Sequence, residues 1–317
     1  MPGKTSQNSA APSPLIVILG PTAVGKTSLA IRLALTLEGE IVGADSRQVY
    51  RHMDIGTAKP TNEEQTQARH HLIDLIDPDD RLSLARYQKM AYAAINDIHA
   101  RGRVPLLVGG TGQYITAVTE GWSIPEVPPN EALRAQLEAF AEAHGVEALH
   151  DRLAKIDPDA AAKIHPNNVR RVARALEVCL DAGERISVLQ QKNPPPFTIW
   201  ELGLSMERQQ LYDRADRRVD GMMQSGFLDE VRALLNLGYD RRLPSMSGLG
   251  YRQLARHILD GEPLDEIVQI IKYDTHDFIR RQNTWFRGHD NGIMWHNVEQ
   301  IDVDAIIARM IRQLNAK

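Results

Sequence analysis

The run Gly20-Pro21-Thr22-Ala23-Val24-Gly25-Lys26-Thr27 constrains this 317-residue chain more than any other stretch. It follows the apolar segment Leu15–Leu19 and opens a helical pattern with Ala30, Leu33, Ala34 and Leu37 on one face. This is G-x-x-x-x-G-K-[ST] in the strand–loop–helix setting that the motif demands. Gly20 and Gly25 let the backbone curl so that successive N–H groups converge on an anion, and the helix N-terminus adds partial positive charge. Lys26 supplies a mobile point charge for phosphate oxygens, and the Thr27 hydroxyl is placed to ligate a Mg²⁺ that bridges them. The motif predicts a diphosphate or triphosphate site and leaves the chemistry open.

The acid that such chemistry needs is sought past the carboxyl ends of strands, where open α/β sheets place their ligand-handling residues. Ile41-Val42-Gly43-Ala44 reads as a second strand, after Gly39 as a helix stop, and runs into Asp45-Ser46-Arg47-Gln48. Asp45 could ligate Mg²⁺, act as a general base beside the transferred group, or simply turn a loop. Ser83 caps a helix with Leu84, Tyr87, Ala91, Ile95 and Ile98 on one face. The buried strand Val104–Val108 then ends in Gly109-Gly110-Thr111-Gly112. A motor-type ATPase would present an Asp there to hold Mg²⁺ and orient water. Glycines instead leave room for something bulky near backbone, which disfavours water activation.

Composition bounds the partners. A hydrophobic share of 43% with 25% charged residues suits a soluble globular protein, and a net charge of −4 does not suggest wholesale coating of nucleic acid. RNA contact would have to come from local basic clusters. Cys179 alone permits no internal disulfide and no CxxC ligand set, which fits a reducing cytoplasm. Residues 1–14 read as a disordered tail rather than a signal peptide, and no apolar run is long enough to span a bilayer. His70-His71 sits on a short strand, where neighbours point to opposite faces, a poor geometry for a metal pair.

Residues 121–197 change character. Pro125, Pro128 and Pro129 open the segment, helical patterns fill it and Pro194-Pro195-Pro196 closes it, as for an inserted helical domain. Asn168 can cap a helix burying Val169, Val172, Ala173, Leu176 and Leu180, with Arg170, Arg171 and Arg174 on its polar side. Arg174 and Glu177 could form a solvated i,i+3 pair worth about a few tenths of a kcal/mol. Beyond the insertion, a helix from Glu207 carries Arg214, Arg217 and Arg218 on one side. A Gly-rich loop runs from Ser245 to Gln253. Arg280–Arg287, with Trp285 and Phe286, fits either stacking on bases or core packing.

Several stretches together resemble the tRNA dimethylallyltransferases (tRNA isopentenyltransferases). They are Gly20–Thr27, Asp45-Ser46 with Tyr50, Met53–Pro60, Leu106–Thr111, His165-Pro166-Asn167, Arg174–Val178, Gly250-Tyr251-Arg252-Gln253, and Arg281-Gln282 with Trp285 and Arg287. They run in family order from about Leu15 to Trp295. The resemblance implies an α/β fold: a P-loop, kinase-like core with a central parallel sheet over 15–120 and 198–317, and a mainly helical insertion over 121–197 that contacts tRNA. It implies transfer of the dimethylallyl group from its diphosphate to the exocyclic amine of the adenine just 3′ of the anticodon. Asp45 matches the general base, and Lys26, Thr27 and Arg218 complete the catalytic set. Gly20 to Thr27 with Arg218 match the diphosphate site, and Thr27 the Mg²⁺ ligand. The tRNA-contacting positions fall on Asp45, Ser46, Arg47, Gln48, Thr111, Arg134, Arg170, Arg171, Val172, Ala173, Arg174, Ser247, Gly248, Leu249, Gly250, Tyr251 and Arg252. Many members carry a basic residue where Ser247 stands, and Ala-Leu-Ile or similar where Arg47-Gln48-Val49 stands. A C-terminal Cys/His zinc module, present in longer eukaryotic relatives, is not expected with one cysteine. The expectation is a cytoplasmic monomer.

The chemistry suits these residues. Allylic C–O cleavage builds negative charge on the diphosphate, where Lys26, the loop amides and Arg218 can stabilise it. A cation-like carbon demands little of a weakly nucleophilic amine, whose proton becomes acidic as the N–C bond forms, so an ordinary carboxylate suffices as base. The alternatives are a small-molecule or nucleoside kinase on the same core, an isopentenyltransferase acting on free adenine nucleotides, and a non-catalytic nucleotide-switch RNA-binding module.

Overall fold

The computed structural model describes residues 13–290 and 292–315, and the chain separates into two compact units. Residues 1–12, most of the expected tail, lie outside the described residues. Ser13 and Pro14 do not belong to a tail, because both pair with the strand beginning at Phe197.

The first unit opens with β1 (Ser13–Leu19), α1 (Lys26–Thr36), β2 (Gly39–Gly43), α2 (Asn62–Gln67), β3 (His70–His71), α3 (Leu84–Ala100), β4 (Val104–Gly109) and α4 (Gly112–Thr119). The second unit, Glu120–Pro195, holds α5 (Glu131–His144), α6 (Val146–Ile156), α7 (Pro158–Ala161), α8 (Val169–Ala182) and α9 (Ile186–Leu189). The chain returns to the first unit with β5 (Phe197–Ser205), α10 (Arg208–Gln224), α11 (Phe227–Asn236), α12 (Tyr251–Asp260), α13 (Leu264–Gly288), β6 (Met294–Asn297) and α14 (Val303–Asn315).

The six strands form one sheet in the order β3-β2-β4-β1-β5-β6, and every pairing is parallel. β1 is central and reads as an unbroken apolar run because both faces are covered. Its alternate residues serve two clusters. Ile16 and Ile18 pack with α1, α10 and α14, while Leu15, Val17 and Leu19 pack with α3 and α4. A third cluster joins Val49, Tyr50 and Met53 to α11, α12 and α13. Parallel strands align their carboxyl ends, so the turns after β1, β2 and β4 meet on one rim.

Two local expectations change, and a third is met. Gly39 does not stop α1: Glu38 takes the left-handed turn at φ 51°, and Gly39 begins β2, where a Cβ would lie 2.7 Å from the Val104 carbonyl oxygen. Leu180 is 52% exposed rather than buried, since the inward arc of α8 runs through Val172, Ala173, Ala175, Leu176, Val178 and Cys179. The adjacent histidines diverge: His71 Nε2 lies 2.6 Å from the Glu40 carboxylate, whereas His70 Nδ1 meets the Ala68 carbonyl at 2.7 Å. Among the described residues no group of three His, Cys, Asp or Glu is placed to hold a metal.

In the second unit, Leu137, Leu149, Leu153, Val172 and Leu176 form a core of their own. Within it sits a carboxylate. Glu177 is fully buried and accepts from the Asn130 N–H, from Arg174, and from Arg134 at 2.9 Å. The expected solvated pair is therefore a buried triad. Burial opposes ionisation of Glu177, but the two guanidiniums and the backbone donor outweigh it and hold the carboxyl below its usual range. Asp157, also fully buried, behaves alike: burial opposes its charge, while bonds from Ser187 and the Ala160 N–H favour it and lower its pKa.

Candidate active site

A cleft of about 980 Å³ opens at the rim where the β1 and β2 turns meet, and Thr22, Lys26, Thr27, Asp45, Gln48 and Arg218 all border it. The Gly20–Gly25 turn leads directly into α1. Gly25, its N-cap, has φ 105°, a conformation that a side chain would strain, no side chain caps the first amides of α1, and Gly25 to Ser28 line the cleft. Lys26 folds back over the loop, its Nζ donating to the Pro21 carbonyl at 2.8 Å and to the Gly20 carbonyl at 3.1 Å. Packing around its ammonium, aided by the nearby Arg218 charge and opposed by Asp45, pushes its pKa down to about 7.

α10 divides its charges by face. Two of its three acids brace α13: Asp216 lies 2.8 Å from His276, and Asp220 pairs with Lys272 at 2.7 Å, while Asp213 accepts from Gln209 on the same helix. The opposite side turns Arg214, Arg217 and Arg218 to the cleft, and no carboxylate among the described residues forms an ion pair with them. Arg218 reaches the Thr22 hydroxyl at 3.5 Å, and the Arg214 guanidinium stands 3.5 Å from where a Gly25 Cβ would be. Burial lowers the Arg218 pKa, with Asp45 opposing and Arg214 reinforcing the shift. Cations so crowded and unpaired await an anion of more than one charge.

Asp45 follows β2 on a supported turn. Its Oδ1 accepts the Arg47 N–H at 2.8 Å, so one oxygen shapes the loop. Thr111 receives the Ser46 N–H on its Oγ1 at 3.0 Å, and Tyr87, stacked on Tyr114 at 3.7 Å, donates to the Gly43 carbonyl at 2.9 Å beneath. The Gln48 side-chain nitrogen donates to the Thr57 and Ala58 carbonyls at 3.2 and 3.0 Å, tying in the 53–60 loop. That loop is anchored by Glu230, which accepts three successive N–H groups, from Asp54 at 2.9 Å, Ile55 at 2.7 Å and Gly56 at 3.1 Å, and also the Tyr251 hydroxyl at 2.6 Å.

The glycines after β4 do not leave room for a ligand. A Cβ on Gly109 would lie 2.0 Å from the Ala44 carbonyl oxygen, one on Gly110 2.4 Å from Gln282 Nε2, and one on Gly112 2.1 Å from the Trp285 ring. The chain itself fills that space. Trp285 stacks on His289 at 4.4 Å and donates to Thr116 at 3.3 Å, and Phe286 is 2% exposed. Of the two readings of 280–287, core packing is the one realised.

Asp45, Ser46, Gln48 and Thr111 aside, which are half-buried on the turns after β2 and β4, the positions expected to contact tRNA fall into three groups. Arg170, Arg171, Ser247 and Arg252 are exposed, and Leu249 is half-buried. Arg47, Arg134 and Arg174 are half-buried and already engaged: Arg47 with the Pro244 carbonyl at 2.7 Å, the other two with Glu177. Val172, Ala173 and Tyr251 are buried, so their side chains do not face solvent, and Gly248 and Gly250, also buried, have only backbone to offer. Helical periodicity explains the correction on α8, since two of five consecutive positions must face the core.

Sequence reasoning passed over Arg214, Glu230 and Gln282 as site residues. Gln282 left a signal, as a polar residue on the apolar stripe Ile271-Thr275-Ile279-Gln282-Phe286 of α13. Glu230 left none, because its backbone partners lie 174 to 176 residues away.

An all-parallel sheet with a Gly-Lys-Thr loop at the head of α1, and an arginine row beside a carboxylate at its rim, define a P-loop-like α/β protein. A family model described as IPP transferase matches residues 48–289. A tRNA dimethylallyltransferase of Chloroflexus aggregans is 55% identical over 297 residues, covering 93% of this chain and 99% of the relative. The crystal structure of a tRNA isopentenylpyrophosphate transferase from Bacillus halodurans superposes with a TM-score of 0.70 at 42% identity, covering 96% of each chain. A eukaryotic dimethylallyltransferase acting on tRNA gives a TM-score of 0.74 at 27% identity, over 90% of this chain and 74% of that one. The chain belongs to the IPP transferase family.

Proposed function

We propose that this chain transfers the dimethylallyl group of dimethylallyl diphosphate to the N6 amine of the adenine 3′-adjacent to the anticodon in tRNA, releasing diphosphate. One observation carries the reading within the family: the loop, Lys26 and Arg218 face the same cleft as the Asp45 carboxylate, while the strand that would supply a water-orienting acid ends in glycines. As the allylic C–O bond breaks, its electron pair passes to the diphosphate, whose growing charge meets Lys26, Arg218 and the α1 amides. The amine nitrogen forms the new C–N bond, and its proton passes to Asp45 through the oxygen that Arg47 does not engage.

Hard oxygen donors for Mg²⁺ are present, since the Thr27 hydroxyl and the Asp45 carboxylate both border the cleft. Thr27 is assigned to the metal and Asp45 to the proton, which leaves the remaining coordination to diphosphate oxygens and water. Bound there, Mg²⁺ would draw negative charge from the leaving group. The exposed Arg170 and Arg171 suit phosphates of an anticodon stem-loop. The target base must leave its stack, at a cost of about a few kcal/mol. No helix among the described residues is long and apolar enough to cross a membrane, and a cytoplasmic monomer is part of the same reading.

The test incubates the chain with anticodon stem-loop RNA and either dimethylallyl diphosphate or ATP, then weighs the RNA. A gain of one prenyl unit with the first supports the reading. No gain, with γ-phosphate loss from ATP onto another acceptor, supports a kinase instead.

A further inference from the structure

Gln282 is 6% exposed, lies on α13, and engages both ends of its amide with backbone groups that belong to different turns. Its Oε1 accepts the Thr22 N–H of the phosphate loop at 2.8 Å, and its Nε2 donates to the Gly110 carbonyl after β4 at 2.9 Å. The orientation is unambiguous, because one partner can only donate and the other can only accept. The next residue continues the path. The Thr111 N–H donates to the Ala44 carbonyl at 3.2 Å, and Thr111 Oγ1 accepts the Ser46 N–H at 3.0 Å. Those two bonds straddle Asp45. Gly110 is where the parts converge: a Cβ there would lie 2.4 Å from Gln282 Nε2 and 3.5 Å from both Lys26 Nζ and the Gly20 carbonyl oxygen.

We propose that Gln282 is a positioning residue that fixes the spacing between the diphosphate-binding loop and Asp45, through Thr22 on one side and Gly110-Thr111 on the other. It touches no reacting group. It spends the Thr22 N–H on protein rather than on phosphate, so the loop holds its shape before any ligand arrives. Because carbon–nitrogen bond formation and proton removal need the leaving group and the base in one geometry, the loss should appear in kcat, where a displacement of about 1 Å can cost about 10²-fold. The inference rests on the reading of the cleft as a prenyl diphosphate site.

Gln282→Glu and Gln282→Leu separate this role from simple packing. Protonated Glu retains one donor and one acceptor, whereas ionised Glu sets an oxygen against the Gly110 carbonyl. Expected for Gln282→Glu at about pH 8 is a kcat lower by about 10- to 100-fold, with the KM for dimethylallyl diphosphate within about threefold of wild type. The variant-to-wild-type kcat ratio should climb as the pH falls toward about 6, where the buried carboxyl gains its proton. Gln282→Leu should lose kcat at every pH while still binding inorganic diphosphate in calorimetry. An unchanged kcat, a loss confined to KM, or a pH-independent Gln282→Glu ratio overturns the inference. If Gln282→Leu fails to fold, the Gln282→Glu ratio still decides. A wild-type chain that transfers no prenyl group overturns the functional reading and this inference with it, and the wild-type arm alone reveals that case.

Discussion

Replacing Glu177 by Gln separates what the local sequence suggests from what the tertiary structure imposes. An i,i+3 pair with Arg174 on a solvated face would contribute about a few tenths of a kcal/mol. Glu177 is instead fully buried, its two arginine partners have side chains 29% and 35% exposed, and a backbone N–H completes its coordination. Gln keeps the shape but removes the charge, leaving two half-buried guanidiniums facing an amide. Breaking a fully buried pair costs about 3–5 kcal/mol, and partial exposure of the arginines discounts this to about 2–4 kcal/mol. Urea unfolding of the whole chain, followed by a probe placed in the helical unit, measures it. The pH dependence gives a second check. The folded pKa of Glu177 lies below its unfolded value, so its stabilisation is complete above the unfolded value and is lost as pH falls through the folded one. The difference between wild type and variant should therefore be flat near neutrality and shrink in acid. A destabilisation below about 0.5 kcal/mol would mean that the carboxylate is hydrated as on an ordinary surface, and the buried triad would be refuted.

Asp45→Ala should lower turnover by about 10²–10⁴-fold with a modest loss of RNA affinity, and an unchanged single-turnover rate would remove Asp45 from proton transfer. With the Lys26 pKa near 7, the ammonium that attracts diphosphate is present below that pH and is lost above it. Calorimetry without added metal should show inorganic diphosphate binding weaken by about tenfold more between pH 6 and 8 in wild type than in Lys26→Met, a difference in which the ligand's own titration cancels. Equal pH slopes in the two proteins would count against a titrating Lys26. Trp285→Ala should cost about 3–5 kcal/mol of stability by opening a cavity at Gly112, with RNA affinity per folded molecule unchanged. Loss of affinity without loss of stability would restore base stacking for that ring. Glu230→Ala leaves three N–H groups and a tyrosine hydroxyl without their acceptor, so faster proteolysis or hydrogen exchange confined to residues 53–60 is expected, and uniform protection would argue otherwise.

Much of the site is legible locally because its chemistry is local. The loop 20–27 carries its glycines, lysine and threonine hydroxyl within eight residues. Asp45 is found by the strand-end rule because a parallel sheet brings carboxyl ends together whatever the loops contain. Glycines are less legible. Gly109, Gly110 and Gly112 signal only that something approaches closely, and whether it is a ligand or the chain's own Ala44, Gln282 and Trp285 depends on residues up to 173 positions away. The tRNA-contacting stretches show the same limit, since a motif marks a stretch while helical phase decides that Arg170 and Arg171 are exposed and Val172 and Ala173 buried.

By itself the sequence determined the parallel α/β core, the helical character of 121–197, the phosphate loop and the carboxylate that accompanies it, because periodicity, capping and short motifs act within a few turns of chain. Tertiary structure decided how the charges are spent. Glu177 is buried against two arginines, and Asp216 and Asp220 of α10 are paired to α13 while Arg214, Arg217 and Arg218 border the cleft. Gln282 turns from a polar interruption on α13 into the link between the turns after β1 and β4. The physical reason is that burial and hydrogen-bond pairing are properties of neighbours in space, and at this site those neighbours lie up to 260 residues apart.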